Sequence, residues 1–323
     1  MNVLVTGGCG FIGSHAALRL LEDGHAVTVV DDLSRGHRAV ADLLAEQGDF
    51  RFVESDLGAC ERMAALMRER SIELVMHFGA LAYVGESVQQ PLRYYDKNFS
   101  SSVGLLRAMD EVGVQRLVFS STCATYGEPA PDQVPIRETC PQQPINPYGR
   151  SKLMVEQLLE DYQTLCRMND RPFAYACLRY FNVAGNDPRG RLGEDHQPET
   201  HLIPICLEVA MGRRPHLTIF GTDYPTPDGT CIRDYVHVED LIDAHVLVAD
   251  RLRDHAALFY NVGIGRGYSV REIADACQRV TGVSFDIVDG ERRPGDPPEL
   301  YNDPTRVREE LGWTARYTDL DAI

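Results

Sequence analysis

The sequence predicts an α/β protein, a doubly wound parallel sheet followed by a smaller C-terminal α/β lobe. Three observations point there. Through the first half of the 323 residues, short β-branched runs alternate with helix-length stretches, the succession that builds right-handed βαβ crossovers. A glycine-rich turn, Gly7-Gly8-Cys9-Gly10-Phe11-Ile12-Gly13, joins the first run to the first helical stretch. After about residue 182 the texture changes to loops rich in Gly, Pro, Asp and charge at 186–199, 222–233 and 290–298, the pattern of a lobe that offers binding loops.

Taken in order, strands are expected at 3–6, 26–30, 50–54, 74–77, 116–120 and 173–179. Helices are expected at 11–23, 60–70, 91–112 and 147–167. The last of these has a clear start, since Asn146 suits the N-cap and Pro147 the first helical position. Residues 1–182 then form the cofactor-binding domain and 183–323 the main substrate lobe. Residues 319–323 end without a cap or turn, so a further C-terminal tail is expected.

Composition narrows the functional classes. A formal charge of −16 and a pI near 5.0 argue against nucleic acid and anionic membrane surface as partners. No apolar run is long enough to span a bilayer, and the chain starts directly in a strand-like run without a basic, apolar leader. The cytoplasm is therefore expected. Nine cysteines without a Cys-x-x-Cys pair read as reduced core thiols, with neither a disulfide framework nor a metal site.

Glycines at 7, 10 and 13 suit a tight turn, close backbone approach to a pyrophosphate, and close helix–strand packing, the Rossmann fingerprint. The helix that opens at Phe11 and Ile12 adds amide donors and a positive dipole end. The second strand ends in Asp31 and Asp32, where a carboxylate meets an adenosine ribose and would repel a 2′-phosphate; NAD is favoured over NADP. Asp56-Leu57 after the third strand could hold the adenine edge, and Phe78-Gly79-Ala80 after the fourth is a small-residue loop that lets backbone approach the cofactor. Turn chemistry alone would also explain both.

At the reacting end, Ser120-Ser121-Thr122 closes the fifth strand at the carboxyl edge, where open α/β sheets bind ligands. Only two of the 32 basic residues are lysines, and Lys152 stands four places after Tyr148. On a helix that spacing shares one face, so the ammonium is expected to lower the phenol pKa and make Tyr148 a base. A surface tyrosine beside a lysine is the plainer alternative.

Thr122, Tyr148 and Lys152 resemble the triad of the extended short-chain dehydrogenase/reductase superfamily, in its nucleotide-sugar branch. The resemblance narrows to the UDP-glucose 4-epimerases through Asp31-Asp32-Leu33-Ser34-Arg35-Gly36-His37, Val84-Gly85-Glu86-Ser87, Tyr94-Tyr95-Asp96-Lys97-Asn98, the segment from Asn146 to Glu156, and Arg179-Tyr180-Phe181-Asn182. Gly193-Glu194-Asp195, Thr218-Ile219-Phe220-Gly221, Asp223-Tyr224-Pro225-Thr226 and Arg233-Asp234-Tyr235-Val236-His237-Val238 continue it.

This resemblance implies tightly bound NAD and a UDP-hexose substrate, oxidised transiently at sugar C4 to a 4-keto intermediate that turns over and takes the hydride on its other face. It implies Tyr148 as base, Thr122 as the bridging hydroxyl, and Lys152 on the nicotinamide ribose. Ser120 and Asn98, Tyr180 and Phe181 fall near the nicotinamide. The UDP end is expected at Asn182, Arg233, Arg293 and Asp296, with Phe220 beside the uracil and His201-Leu202 on the loop above it. Surface pairing of Arg233 with Asp234 and of Arg293 with Glu291 is the alternative for the arginines.

Three departures bear on substrate. Ala82 stands where one epimerase branch has lysine, His201 where some relatives have asparagine, and Leu300 where the sugar-pocket wall varies in size. Cys123 and Ala124 stand where the resembling nucleotide-sugar 4,6-dehydratases have Asp-Glu and the decarboxylases Ser-Glu, so the acid of either group is missing. Interconversion of UDP-glucose and UDP-galactose is the leading expectation. Epimerases of UDP-N-acetylglucosamine, UDP-xylose or UDP-glucuronate, and a non-catalytic sugar-nucleotide binder, are the alternatives. The resemblance also implies a homodimer through helices 91–112 and 147–167, whose apolar positions Val103, Leu106, Met109, Leu153, Leu158, Leu159 and Tyr162 could equally be core.

Overall fold

The computed structural model describes residues 1–293 and 296–323. Strands β1 (Asn2–Thr6), β2 (Ala26–Asp31), β3 (Phe50–Glu54), β4 (Leu74–His77), β5 (Arg116–Thr122) and β6 (Ala174–Tyr180) form where the β-branched runs lie. The later strands are β7 (Asn182–Ala184), β8 (Leu217–Phe220), β9 (Ile232–His237), β10 (Ala257–Val262), β11 (Gly267–Ser269), β12 (Ile287–Gly290) and β13 (Glu299–Leu300). The main sheet has seven strands in the order β10-β6-β5-β4-β1-β2-β3, and every pairing in it is parallel. Strand order reverses beside β1, which opens a crevice at the carboxyl ends of β1 and β4.

Helices cover both faces because each βαβ crossover is right-handed. Helices α1 (Phe11–Glu22) and α2 (Arg38–Leu44) lie over one face. Helix α3 (Cys60–Glu69) packs on the other. The expected helix at 91–112 is continuous but not uniform. After α4 (Val84–Gln89) come α5 (Pro91–Tyr94), a π-helical segment (Tyr95–Ser100) and α6 (Ser101–Val112), which ends on Gly113 at φ +82°, a left-handed cap that favours glycine. Helix α7 (Pro147–Met168) starts as expected, with Asn146 Oδ1 accepting from the Gly149 amide at 2.8 Å. The remaining helices are α8 (Leu202–Ala210), α9 (Val238–Arg251), α10 (Val270–Thr281) and α11 (Thr305–Leu311).

The seven-stranded sheet extends across the expected division at residue 182. Strand β10 pairs with β6 along 257–262, and α9 packs beside α1 in the same core, where Leu241, Val248 and Trp313 are buried with Leu18 and Val29. The sheet is thus discontinuous in sequence, because the open edge of β6 is covered by a strand from beyond residue 250. Several of the apolar positions offered for a dimer face are core: Leu106, Met109 and Leu159 are buried with Phe119 and Tyr175, and Leu158 and Tyr162 pack against them. All nine cysteines are unpaired. No described helix is long and apolar enough to cross a membrane.

Candidate active site

The carboxyl ends of the central strands and the loops of the second lobe enclose one cleft of about 1400 Å³. A single small-molecule site occupies ~300–1,000 Å³, so this one has room for two ligands.

At the β1 end, Gly7 turns the chain at φ +68° and its amide donates to Val30 O at 2.8 Å. A Cβ on Gly13 would stand 2.2 Å from Gly7 O, so loop and helix pack too closely for any side chain. Gly10 is different. Its Cβ would meet only Gly7 O, at 3.5 Å, so the space above it is open. Gly10 gives α1 no side-chain cap, which leaves first-turn amides of Phe11 and Ile12 for a ligand. This cradle fits a dinucleotide pyrophosphate.

The β2 end carries the two acids. Asp31 accepts from the amides of Cys9 (3.0 Å) and Leu33 (2.9 Å), and burial raises its pKa above the usual carboxylate range. Asp32 accepts from Ser34 N at 2.9 Å and from Lys97 Nζ at 3.1 Å. Burial opposes its charge, but Ser34 and Lys97 outweigh burial and lower its pKa. Lys97 also donates to Asp56 at 2.5 Å. The chain's second lysine therefore bridges the acids after β2 and β3, a role that only its rarity could have flagged. Leu57, Phe78 and Ala80 line the same end.

At the β5 end, close packing decides the geometry. A Cβ on Gly149 would lie 2.4 Å from Ala124 O, so only glycine lets α7 approach the loop after β5. That approach sets the Tyr148 phenol beside Thr122. Burial pushes the phenol pKa up to about 12, and the neighbouring Thr122 hydroxyl opposes this. The expected lowering by Lys152 is absent from this geometry. Lys152 Nζ donates to Ser120 O at 2.8 Å and lies over the Phe119 ring. Burial brings its pKa down to about 7, against the pull of Glu156. The four-residue spacing does share a face, but β5 draws the ammonium to its own backbone. Tyr180 OH is hydrogen-bonded to Ser120 Oγ, and Phe181 lines the cleft next to it.

Asn98, expected near the nicotinamide, stands behind the residues that line the cleft. It is 2% exposed. Its Oδ1 accepts from Leu81 N at 2.8 Å, and its Nδ2 donates to Leu81 O and Ser151 Oγ, both at 3.0 Å. Ser151 Oγ in turn donates to Tyr148 O at 2.7 Å. Asn98 thus ties the loop after β4 to the first turn of α7. The π-helical turn that carries it has no signature in the hydrophobic pattern.

Across the cleft, Asn182 Nδ2 donates to Asp234 O at 3.1 Å. Arg233 pairs with Asp296, and Arg293 lies 4.1 Å from the centroid of Phe220. The alternative partner Asp234 is instead fully buried and accepts from the amides of Ile264 (2.9 Å) and Gly265 (3.0 Å). His201 caps α8, whose first residue is Leu202, and both face this space with Leu300. Beneath the site, Arg179 and Glu156 form a buried pair that the residue pattern did not single out. On the loop before α8, Glu194, His196, Glu199 and His201 converge.

A parallel seven-stranded sheet, a glycine cradle at its first crossover, and threonine, tyrosine and lysine at its carboxyl edge define an enzyme of the extended short-chain dehydrogenase/reductase class. The chain belongs to the NAD dependent epimerase/dehydratase family, whose model matches residues 3–263. It is 49% identical over 327 residues to a probable UDP-arabinose 4-epimerase 3 of Oryza sativa subsp. japonica, covering 99% of this chain and 79% of that one. It is 47% identical over 323 residues to a UDP-glucose 4-epimerase of Azospirillum brasilense, covering 100% and 89%. Among solved structures, the UDP-glucose-4-epimerase of Stenotrophomonas maltophila with bound NAD and formylated UDP-arabinopyranose superposes with a TM-score of 0.94 at 43% identity, covering 100% of this chain and 95% of that one. The protein is an NAD-dependent epimerase.

Proposed function

We propose that this chain is a UDP-sugar 4-epimerase whose principal reaction interconverts UDP-glucose and UDP-galactose. One observation carries the reading: a proton-transfer set (Thr122, Tyr148, Lys152) and an arginine–aromatic end (Arg233, Arg293, Phe220) share one cleft. NAD, when bound, accepts and returns the hydride at sugar C4.

The chain's own groups do the rest. Amides of the Gly7–Gly13 turn hold the cofactor pyrophosphate, and Asp31 and Asp32 accept from the adenosine ribose. Leu57, Phe78 and Ala80 flank it, and Lys152 binds at the nicotinamide ribose. Tyr148 takes the proton of the 4-hydroxyl as that bond is oxidised and gives it back on return, with the Thr122 hydroxyl stabilising the phenolate. Arg233 and Arg293 pair with the diphosphate, Phe220 stacks on the uracil, and Asn182, Asp296, His201 and Leu202 complete the uridine end. Phe181, Leu300 and Cys123 form one apolar cluster beside the sugar position. Such a wall gives a 4-keto sugar no strong hydrogen bond to one face, so the sugar can turn about its anchored diphosphate.

That wall also favours a second reading, 4-epimerisation of the UDP-pentoses arabinose and xylose, because it offers a C6 hydroxymethyl group no charged partner. The arabinose relatives support it. A coupled assay without added NAD⁺ tests both readings. UDP-galactose turnover that Tyr148→Phe abolishes is the expected result. Turnover of UDP-arabinose alone would transfer the reading to pentoses, and failure of both with bound NAD present would sink it. The proposal includes a homodimer, with exposed Leu92, Leu165 and Met168 as candidate contacts, testable by light scattering. It also includes a reducing, cytoplasmic setting, which the nine unpaired cysteines support.

A further inference from the structure

The segment 193–201 crosses the cleft mouth between the adenosine side and α8. Arg35 Nη1 donates to Gln197 O at 2.8 Å, His37 Nε2 lies 2.9 Å from Asp195 O, and Arg214 Nη2 donates to Glu199 O at 3.2 Å. The segment carries two Glu-x-His-type pairs, Glu194 with His196 and Glu199 with His201. In extended backbone, residues two apart project to the same side, and a bend at 197–198 sets the two pairs against each other.

One ligating atom from each of the four residues lies within 4.8 Å of the other three. His196 Nδ1 is 3.1 Å from Glu194 Oε1 and 3.7 Å from Glu199 Oε2. His201 Nδ1 is 3.0 Å from Glu194 Oε1 and 2.9 Å from Glu199 Oε1. Metal–ligand bonds of about 2.0–2.2 Å in a tetrahedron put neighbouring donors roughly 3.4 Å apart, and these four contacts, which use both oxygens of Glu199, lie on either side of that length. Both carboxylates are nearly buried, with side chains 8% and 5% exposed.

The rival arrangement is a hydrogen-bonded ion cluster of two imidazoliums and two carboxylates. Two features count against it. His196 Nδ1 is buried yet makes no hydrogen bond of acceptable geometry. His201 Nδ1 lies between two carboxylate oxygens at nearly equal distance, and its single N–H can point well at only one. A dication at the centre would use both nitrogen lone pairs and both carboxylates, and would leave the buried group neutral.

We propose that Glu194, His196, Glu199 and His201 form a site for a divalent metal of the zinc class, which pins the 193–201 segment over the cleft. Two imidazoles with two carboxylates suit Zn²⁺ or Co²⁺ over Mg²⁺, which prefers oxygen ligands. With all four positions filled by protein, the role is structural. Cysteine spacing carries no sign of the site because its donors are imidazoles and carboxylates.

The test is calorimetric titration of the chelator-treated, dialysed full chain with Zn²⁺ and Co²⁺, together with elemental analysis of the protein as purified. The expected result is one equivalent bound with a Kd at or below about 1 µM, and an intense visible Co²⁺ band of tetrahedral type. His196→Ala and Glu199→Gln should each weaken binding at least about 100-fold, while His25→Ala at the exposed N-terminal edge leaves it unchanged. Circular dichroism reports whether each variant folds. If one does not, the Co²⁺ band of the wild-type protein decides. The absence of saturable one-to-one binding, a weak octahedral-type spectrum, or binding that survives both cluster substitutions would each overturn the site in favour of the ion cluster. None of these readouts depends on which sugar the enzyme turns over.

Discussion

Replacing Arg179 by methionine should cost more stability than almost any other polar substitution in this chain. Arg179 and Glu156 are 5% and 3% exposed. The guanidinium grips the carboxylate at two points, Nε to Oε1 at 3.0 Å and Nη2 to Oε2 at 2.6 Å. It also donates to Tyr126 OH at 3.0 Å and Gln142 Oε1 at 3.1 Å. Burial works against the charge of Arg179, and Glu156 more than restores it. Methionine fills much of the volume but strands a buried carboxylate, which keeps only the Ser121 hydroxyl and the Gln142 amide. Breaking such a pair from one side costs about 3–5 kcal/mol, a large part of the ~5–15 kcal/mol that holds a typical domain. Guanidinium denaturation followed by circular dichroism should show that loss as a lower midpoint at unchanged slope. The double variant Arg179→Met with Glu156→Met should recover at least half of it, because the stranded charge is then gone. A single-variant loss below about 1 kcal/mol would refute the reasoning, since it would mean that water reaches the pair and screens it. The pair also bears on chemistry: Glu156 lies one turn beyond Lys152 on α7 and raises its pKa.

Four further outcomes follow from the site. Thr122→Val removes the hydroxyl that opposes the burial-raised phenol pKa, so the acidic limb of the kcat/KM profile should move to higher pH by about 1–2 units. The sign is fixed because the active base is the phenolate, and a shift toward lower pH would contradict the assigned geometry. Gly10→Ala should leave the denaturation midpoint near wild type while weakening NAD about 10-fold or more, whereas Gly13→Ala should disturb the fold itself, since their Cβ atoms would meet Gly7 O at 3.5 and 2.2 Å. Asn98→Ala strands buried partners on Leu81 and Ser151 and should cost about 2–4 kcal/mol in denaturant; kcat should fall more than KM rises if its task is to position α7. Lys97→Met leaves Asp32 and Asp56 without their shared cation, and fluorescence titration should show NAD binding weakened several-fold and more steeply salt-dependent.

What the sequence alone determined about this protein is what local rules encode. A turn that needs glycine at 7 and 13, a helix that starts on Asn146-Pro147, and β-branched runs separated by helix-length stretches are legible because each depends on residues a few places apart. The same holds for Thr122, Tyr148 and Lys152, which sit at a strand end and on one helix face. The tertiary structure alone decided the contacts between distant positions. Strand β10 closes the sheet on β6 from beyond residue 250. Asn98 faces Leu81 and Ser151 rather than the cleft, because a π-helical turn rotates it there. Lys97 bridges Asp32 and Asp56, Arg233 chooses Asp296 over its neighbour Asp234, and Lys152 turns to the backbone of β5. None of these has a periodic signature. Charges and amides find partners by where the sheet order and crossovers carry them, and burial then makes each pairing obligatory.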